Sequence, residues 1–143
     1  MEPKILILFG AGASHGAGGL NAIPPLGITL FEELSERYPN TWGKLPPQTN
    51  ELFQKNFEFG MEQIYSKLDN MNDLLKDMAK YFSKFNIIDP YSNLYFKLIE
   101  CYLQPIRSDE LLLSTINYDC LIELAALLLN PSITHWVKNE VGC

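Results

Sequence analysis

Two short stretches carry most of the residue types that could do chemistry. The first, GAGAS at Gly10 to Ser14, directly follows the apolar run ILILF and opens a segment with five glycines between Gly10 and Gly19. Glycines placed straight after a strand let a ligand approach the backbone closely, and the ligand most often held by converging backbone N–H groups is a phosphate. The Ser14 hydroxyl would add one more hydrogen bond. Gly10, Gly12 and Gly16 are spaced G-x-G-x-x-x-G, one residue longer than the dinucleotide fingerprint, whose third glycine would fall on His15. A phosphate site and a close-packed turn therefore both stay open. The second stretch, STINYD at Ser114 to Asp119, brings Thr115, Asn117 and Asp119 together. Asn117 and Asp119 could face a ligand, or they could be a turn residue and the N-cap of a following helix. Of the two histidines, His15 lies nearer a bound phosphate than any bond to be broken and is expected to be exposed, and His135 lies near the end of the chain.

These residues need elements to position them. Lys4 to Phe9, apolar without alternation, predicts a strand buried on both faces in the middle of a parallel sheet. The glycine loop is expected to run to Gly19. A helix follows over Ile28 to Tyr38, closed by Pro39, and Asn40 to Thr49 reads as a loop through Asn40, Gly43, Pro46 and Pro47. Strand, glycine turn and helix open a doubly wound α/β unit. Met61, Ile64, Leu68, Met71, Leu75, Met78, Phe82 and Phe85 then recur in steps of three and four, which predicts one long amphipathic helix or two with a bend near Asn70 to Asn72. That stripe is expected to bury one face on its own domain, the alternative being a seam for self-association. Tyr91 to Leu103 predicts a helix, Glu110 to Ile116 a second buried strand, Asp119 to Leu129 a helix and Ile133 to Val137 a third strand. Ligands of a parallel sheet lie beyond the carboxyl ends of its strands. Asn117 and Asp119 are therefore expected to face the same crevice as the glycine turn, about a hundred residues earlier in the chain.

Composition limits the partners. With 143 residues, 47% hydrophobic and 20% charged, the chain makes about one globular domain. A net charge of -6 argues against a broad basic face for nucleic acid, so small molecules or proteins are expected instead. Cys101, Cys120 and Cys143 lack the paired spacing of a zinc site and are too few for a disulfide scaffold, which fits a reducing cytosol and no metal. No apolar run approaches the length of a membrane span or a leader's apolar core, so a cytoplasmic protein without a membrane partner is expected.

GAGAS at 10–14 and TINYD at 115–119 resemble the G-A-G-x-S and T-x-N-x-D motifs of the sirtuin family. Tyr118, with PPLG at Pro24 to Gly27, is similar to the zinc-free bacterial sirtuin-like domains found in antiphage defence proteins. The resemblance covers residues 4–34 and 110–125, and the stretch between matches only in kind, as a variable helical insertion over about 40–105. It implies an α/β fold with a Rossmann-like parallel sheet that binds NAD. By it, Gly10, Ala11 and Gly12 would lie against the pyrophosphate with Ser14 in support, and Thr115 would belong to the second binding motif. Asn117 would orient the nicotinamide ribose or a water near it, and Asp119 would hold the carboxamide. Breaking the nicotinamide bond raises positive charge on the ribose, so a nearby carboxylate and a fixed leaving group both help.

Two departures from the family pattern shape the expected activity. The protein deacetylases of the family carry a four-cysteine zinc module after the second motif, for which this chain has neither the cysteines nor the length. Hydrolysis of NAD to nicotinamide and ADP-ribose is therefore implied, with a non-catalytic module that senses NAD or ADP-ribose, or scaffolds an assembly, as the alternative. The family also uses a histidine followed by glycine beyond T-x-N-x-D. His135 lies eighteen residues after Asn117 and would suit as the base, but Trp136 stands where the glycine would be. The chain thus reads as the front part of a longer domain. Defence enzymes that consume NAD must be held silent, often in oligomers, so self-association is expected as well.

Overall fold

The computed structural model describes residues 5–65, 71–103 and 111–130. The third strand expected at Ile133 to Val137, and His135 with it, lie outside the described residues. Two compact units share the chain: one takes the residues up to Pro24 with those from Phe85 onward, and the other is Pro25–Lys84. The class is mixed α/β, mostly helical with a small parallel sheet.

In the first unit, strand β1 (Ile5–Phe9) runs into helix α1 (Ala11–His15) with only Gly10 between them. The helix therefore begins inside the stretch that the glycines marked as a loop. β1 pairs in parallel with β2 (Leu111–Thr115), from Ile5 opposite Leu111 to Phe9 opposite Thr115. Equal strand lengths in this register bring both carboxyl ends level. Burial on both faces of β1 is not what the structure shows: Leu6 and Leu8 are 63% and 60% exposed, and Ile5, Ile7 and Phe9 turn inward. Among the described residues β1 has one neighbouring strand, and one face of its apolar run is exposed.

Helix α6 (Leu94–Leu103) packs on α7 (Leu121–Leu129). Asn93, fully buried, starts α6: its Oδ1 accepts the Phe96 N–H at 3.0 Å, and its Nδ2 donates to the Gly18 carbonyl at 2.8 Å. This N-cap joins the helix start to a strap at residues 17–21. Leu94 N–H donates to Ala17 O, and the Ile88 and Asp89 N–H groups both donate to Gly19 O. Gly18 and Gly19 have φ of +69° and +63°, the left-handed region that glycine enters freely.

The second unit contains α2 (Gly27–Arg37), α3 (Pro47–Lys55), α4 (Phe57–Tyr65) and α5 (Met71–Phe82). α3 falls partly in the predicted loop, and Pro47 sits in its first turn, where the missing N–H costs nothing. The described part of the stripe from Met61 onward falls on α4 and α5, and the expected bend near Asn70 to Asn72 lies partly outside the described residues. Met61, Ile64, Met71, Leu74 and Met78 are buried within the unit, with Leu74 rather than Leu75 at the centre of the α5 face. Trp42, fully buried, donates its Nε1–H to the Leu74 carbonyl at 3.1 Å, and Phe31 stacks on Phe53 at 4.9 Å. The insertion expected over 40–105 and the compact unit 25–84 differ at both ends, because α2 joins the helical unit and α6 joins the strands.

Among the described residues no helix is long and apolar enough to cross a membrane. Cys101 is a free, exposed thiol, whereas Cys120 is disulfide-bonded, which the reading of three reduced cysteines did not foresee.

Candidate functional site

The level ends of β1 and β2 put the two sequence motifs side by side. Ser14 faces inward from α1 and is 1% exposed; Asp119 is 6% exposed and Tyr95, from α6, is 3% exposed. The Ser14 hydroxyl donates to Asp119 Oδ1 at 3.0 Å, lies 2.9 Å from the Tyr95 hydroxyl, and accepts from Asn117 Nδ2 at 2.8 Å. Asn117 Nδ2 also reaches the Tyr95 oxygen at 3.4 Å. Ser14, Asn117 and Asp119, three residues singled out from sequence, thus meet in one cluster.

Local chemistry explains how the second motif reaches it. Ile116 N–H still donates to Phe9 O at 3.1 Å, one residue past the ladder, and Thr115 Oγ1 accepts the Asn117 N–H at 3.0 Å. Thr115 therefore shapes the turn that delivers Asn117. Asp119 Oδ1 also accepts the Leu121 N–H at 3.1 Å, so this side chain does support the start of α7, but from one residue before the N-cap, which is Cys120 and not Asp119. One carboxylate oxygen serves both tasks.

The glycines separate into two kinds. A Cβ on Gly19 would collide with the Asp89 carbonyl oxygen, and one on Gly18 would come within 2.9 Å of Ser92 O, so these two serve the strap. A Cβ on Gly10 or Gly12 would meet nothing within 4 Å. Gly10 is extended, with φ −114° and ψ 177°, and Gly12 is helical, so neither backbone conformation requires glycine. What the pair leaves is clear space over the backbone at the head of α1, with Ala11 exposed between them. His15 is exposed at the other end of α1, where its Nδ1 donates to the Pro24 carbonyl at 2.8 Å.

Two acceptors bear on what could bind. Asn117 Oδ1 is buried and has no hydrogen-bond partner among the described residues, an unusual state for a native amide. Glu123, in the first turn of α7, has a buried Oε2 that also lacks a partner among the described residues. Burial, aided by the negative charge of Asp119, holds the Glu123 carboxyl above its ordinary value. Folding thus favours its protonated form, and stability falls as pH rises from the ordinary glutamate range through the raised value, with the penalty persisting at neutrality. Glu123→Gln, which cannot ionise, is expected to raise Tm at pH 7 by roughly 3 °C and to flatten the pH dependence of Tm above pH 4.5. Parallel thermal melts of both proteins from pH 4 to 8 would show it, and superimposable curves would refute it.

Tyr95 is the member that sequence reasoning missed. It sits in a predicted helix, but nothing local links it to Ser14, 81 residues away. Among the described residues no three His, Cys, Asp or Glu side chains converge to hold a metal ion. No protein-family model, no curated protein and no solved structure matches the chain.

Proposed function

We propose that this chain is a sirtuin-like NAD-binding domain that hydrolyses NAD to nicotinamide and ADP-ribose, of the kind used in antiphage defence, with β1 and β2 as the first strands of a Rossmann-like sheet. The observation that carries the reading is the buried contact of Ser14 from the glycine turn with Asn117 and Asp119 from the second motif, beside an unpartnered amide oxygen. The residues fit the dinucleotide at two points. The clear space over Gly10 and Gly12 admits a pyrophosphate against the backbone, with Ser14 held just behind it. Asn117 Oδ1 can accept from a ribose hydroxyl or from a water beside it. The Asp119 carboxylate supplies negative charge where positive charge grows on the ribose as the glycosidic bond breaks. NAD supplies the scissile bond to a cationic leaving group; water adds to the ribose carbon, nicotinamide leaves with the bonding electron pair, and one proton is released.

One observation favours a second reading, an NAD- or ADP-ribose-sensing module. Among the described residues the hydrogen-bond partners of Asn117 are Thr115, Ser14 and Tyr95, and none of them is a general base poised near neutral pH. Nicotinamide release by the purified chain, measured beside calorimetric titration with NAD and ADP-ribose, separates the two. Release is the expected result. Binding of either nucleotide without release would identify the sensor, and no binding of either would overturn both readings.

A further inference from the structure

The proton inventory of the buried cluster assigns a role to the one residue the motifs do not contain. Ser14 has a single hydroxyl proton and gives it to Asp119, since a carboxylate only accepts. The 2.9 Å contact between Ser14 and Tyr95 must then be made by the tyrosine proton. Ser14 Oγ accepts a second hydrogen from Asn117 at 2.8 Å, which fills both its lone pairs. The Tyr95 oxygen lies 3.4 Å from the same nitrogen and 2.9 Å from Ser14 Oγ, so the two oxygens share one N–H of Asn117. The NH2 end of the amide is therefore the end turned to Ser14 and Tyr95, and the carbonyl end is the one left without a partner among the described residues.

The geometry points to Tyr95 as a positioning residue, whose hydroxyl holds the Asn117 amide so that Oδ1 is presented to a hydroxyl or N–H donor on the ligand. Reversing the amide would set Oδ1 against two oxygens whose protons are already given away. Tyr95 is well placed for this task. Its ring is buried and meets Phe9 edge to face at 5.2 Å, so the hydroxyl is anchored to the end of β1. Burial also pushes the phenol above its ordinary value, so the proton it gives to Ser14 stays in place across the working pH range. Asn117 itself comes from the end of β2, and the tyrosine thereby ties α6 to both strand ends.

The kinetic consequence rests on the NAD reading; the structural one does not. Tyr95→Phe keeps the ring and removes the hydroxyl. In this variant, nicotinamide release is expected to lose roughly tenfold in kcat while KM for NAD stays within about twofold, because a misaimed acceptor harms the reacting geometry more than overall binding. Independently, the side-chain amide resonances of Asn117, assigned by their disappearance in Asn117→Ala, are expected to shift and exchange faster with solvent. Ser14→Ala removes the other acceptor of the same N–H and is expected to move the same pair, which covers the case in which the phenylalanine variant folds poorly. If Tyr95→Phe, or Ser14→Ala where that variant is used in its place, leaves the Asn117 amide pair unchanged, the proposal is overturned, as it is if an active wild type loses no kcat on Tyr95→Phe. A wild type that releases no nicotinamide sinks the hydrolase reading instead, and the amide spectrum then decides the role of Tyr95 alone.

Discussion

Asn117→Ala is expected to reduce nicotinamide release by about two orders of magnitude or more, the usual effect of deleting one positioned polar group at a reacting centre, while the chain stays folded. The stability side follows from what the amide does in the resting protein. Its removal takes the N–H that Ser14 and Tyr95 share, but Ser14 keeps its bond to Asp119 and its contact with Tyr95. It also removes the unpartnered buried oxygen, a standing cost of the native state. The two changes oppose each other, so the net loss is expected to be about 1 kcal/mol. Asn117→Asp is the sharper companion: it nearly preserves shape but sets a second acceptor-only group against Ser14 and near the Asp119 charge, and it is expected to cost both rate and stability. Release kinetics beside a thermal melt of each variant test this, and a folded Asn117→Ala protein with near wild-type rate would end the catalytic reading of Asn117.

Much of the candidate site was legible because its parts are local. GAGAS lies at the end of an apolar run, STINYD lies at the end of another, and the rule that parallel strands share one ligand edge brings them together from sequence. The register of Phe9 opposite Thr115 is the physical form of that rule. Tyr95 was illegible for the converse reason. A helix periodicity reports which face is buried, not what that face touches, and the partner of the Tyr95 hydroxyl is set by how α6 packs. Asp119 shows a further limit: supporting a helix start and joining a polar cluster are not exclusive, and one carboxylate oxygen accepts from both Leu121 N–H and Ser14, while the N-cap itself is Cys120.

Elements were read well where one signal dominated. β2, α2 and α7 fall within a residue or two of their predicted spans. α3 was hidden because Pro46-Pro47 was taken as a breaker, although proline at the first helical position is favourable. α1 was hidden because Gly10, Gly12 and Gly16 mask a five-residue helix. The ILILF run predicts a doubly buried strand, yet Leu6 and Leu8 face outward among the described residues, and an uninterrupted apolar run carries no alternation from which to tell one covered face from two.

The two kinds of glycine lead to opposite expectations from similar changes. Gly19→Ala is expected to lower stability by more than about 3 kcal/mol, a fall in Tm on the order of 10 °C, since an L-residue strains at φ +63° and its Cβ would strike backbone atoms of Asp89 and Asn93. Those atoms have nowhere to go: Asp89 N–H is bonded to Gly19 O, and Asn93 caps α6. Gly12→Ala meets open space on a helix and is expected to be neutral to stabilising by up to ~1 kcal/mol. Gly12→Leu, also a good helix former, is expected to hold Tm near the wild-type value yet weaken NAD binding at least roughly tenfold, because the leucine fills the space a ligand would need against the backbone. Calorimetric titration of NAD into the leucine variant, with melts of all three, reads both effects. Unchanged affinity in a folded Gly12→Leu protein would mean that the space over the turn is not where the dinucleotide lies, and the glycines at 10 and 12 would then need another explanation than the ligand.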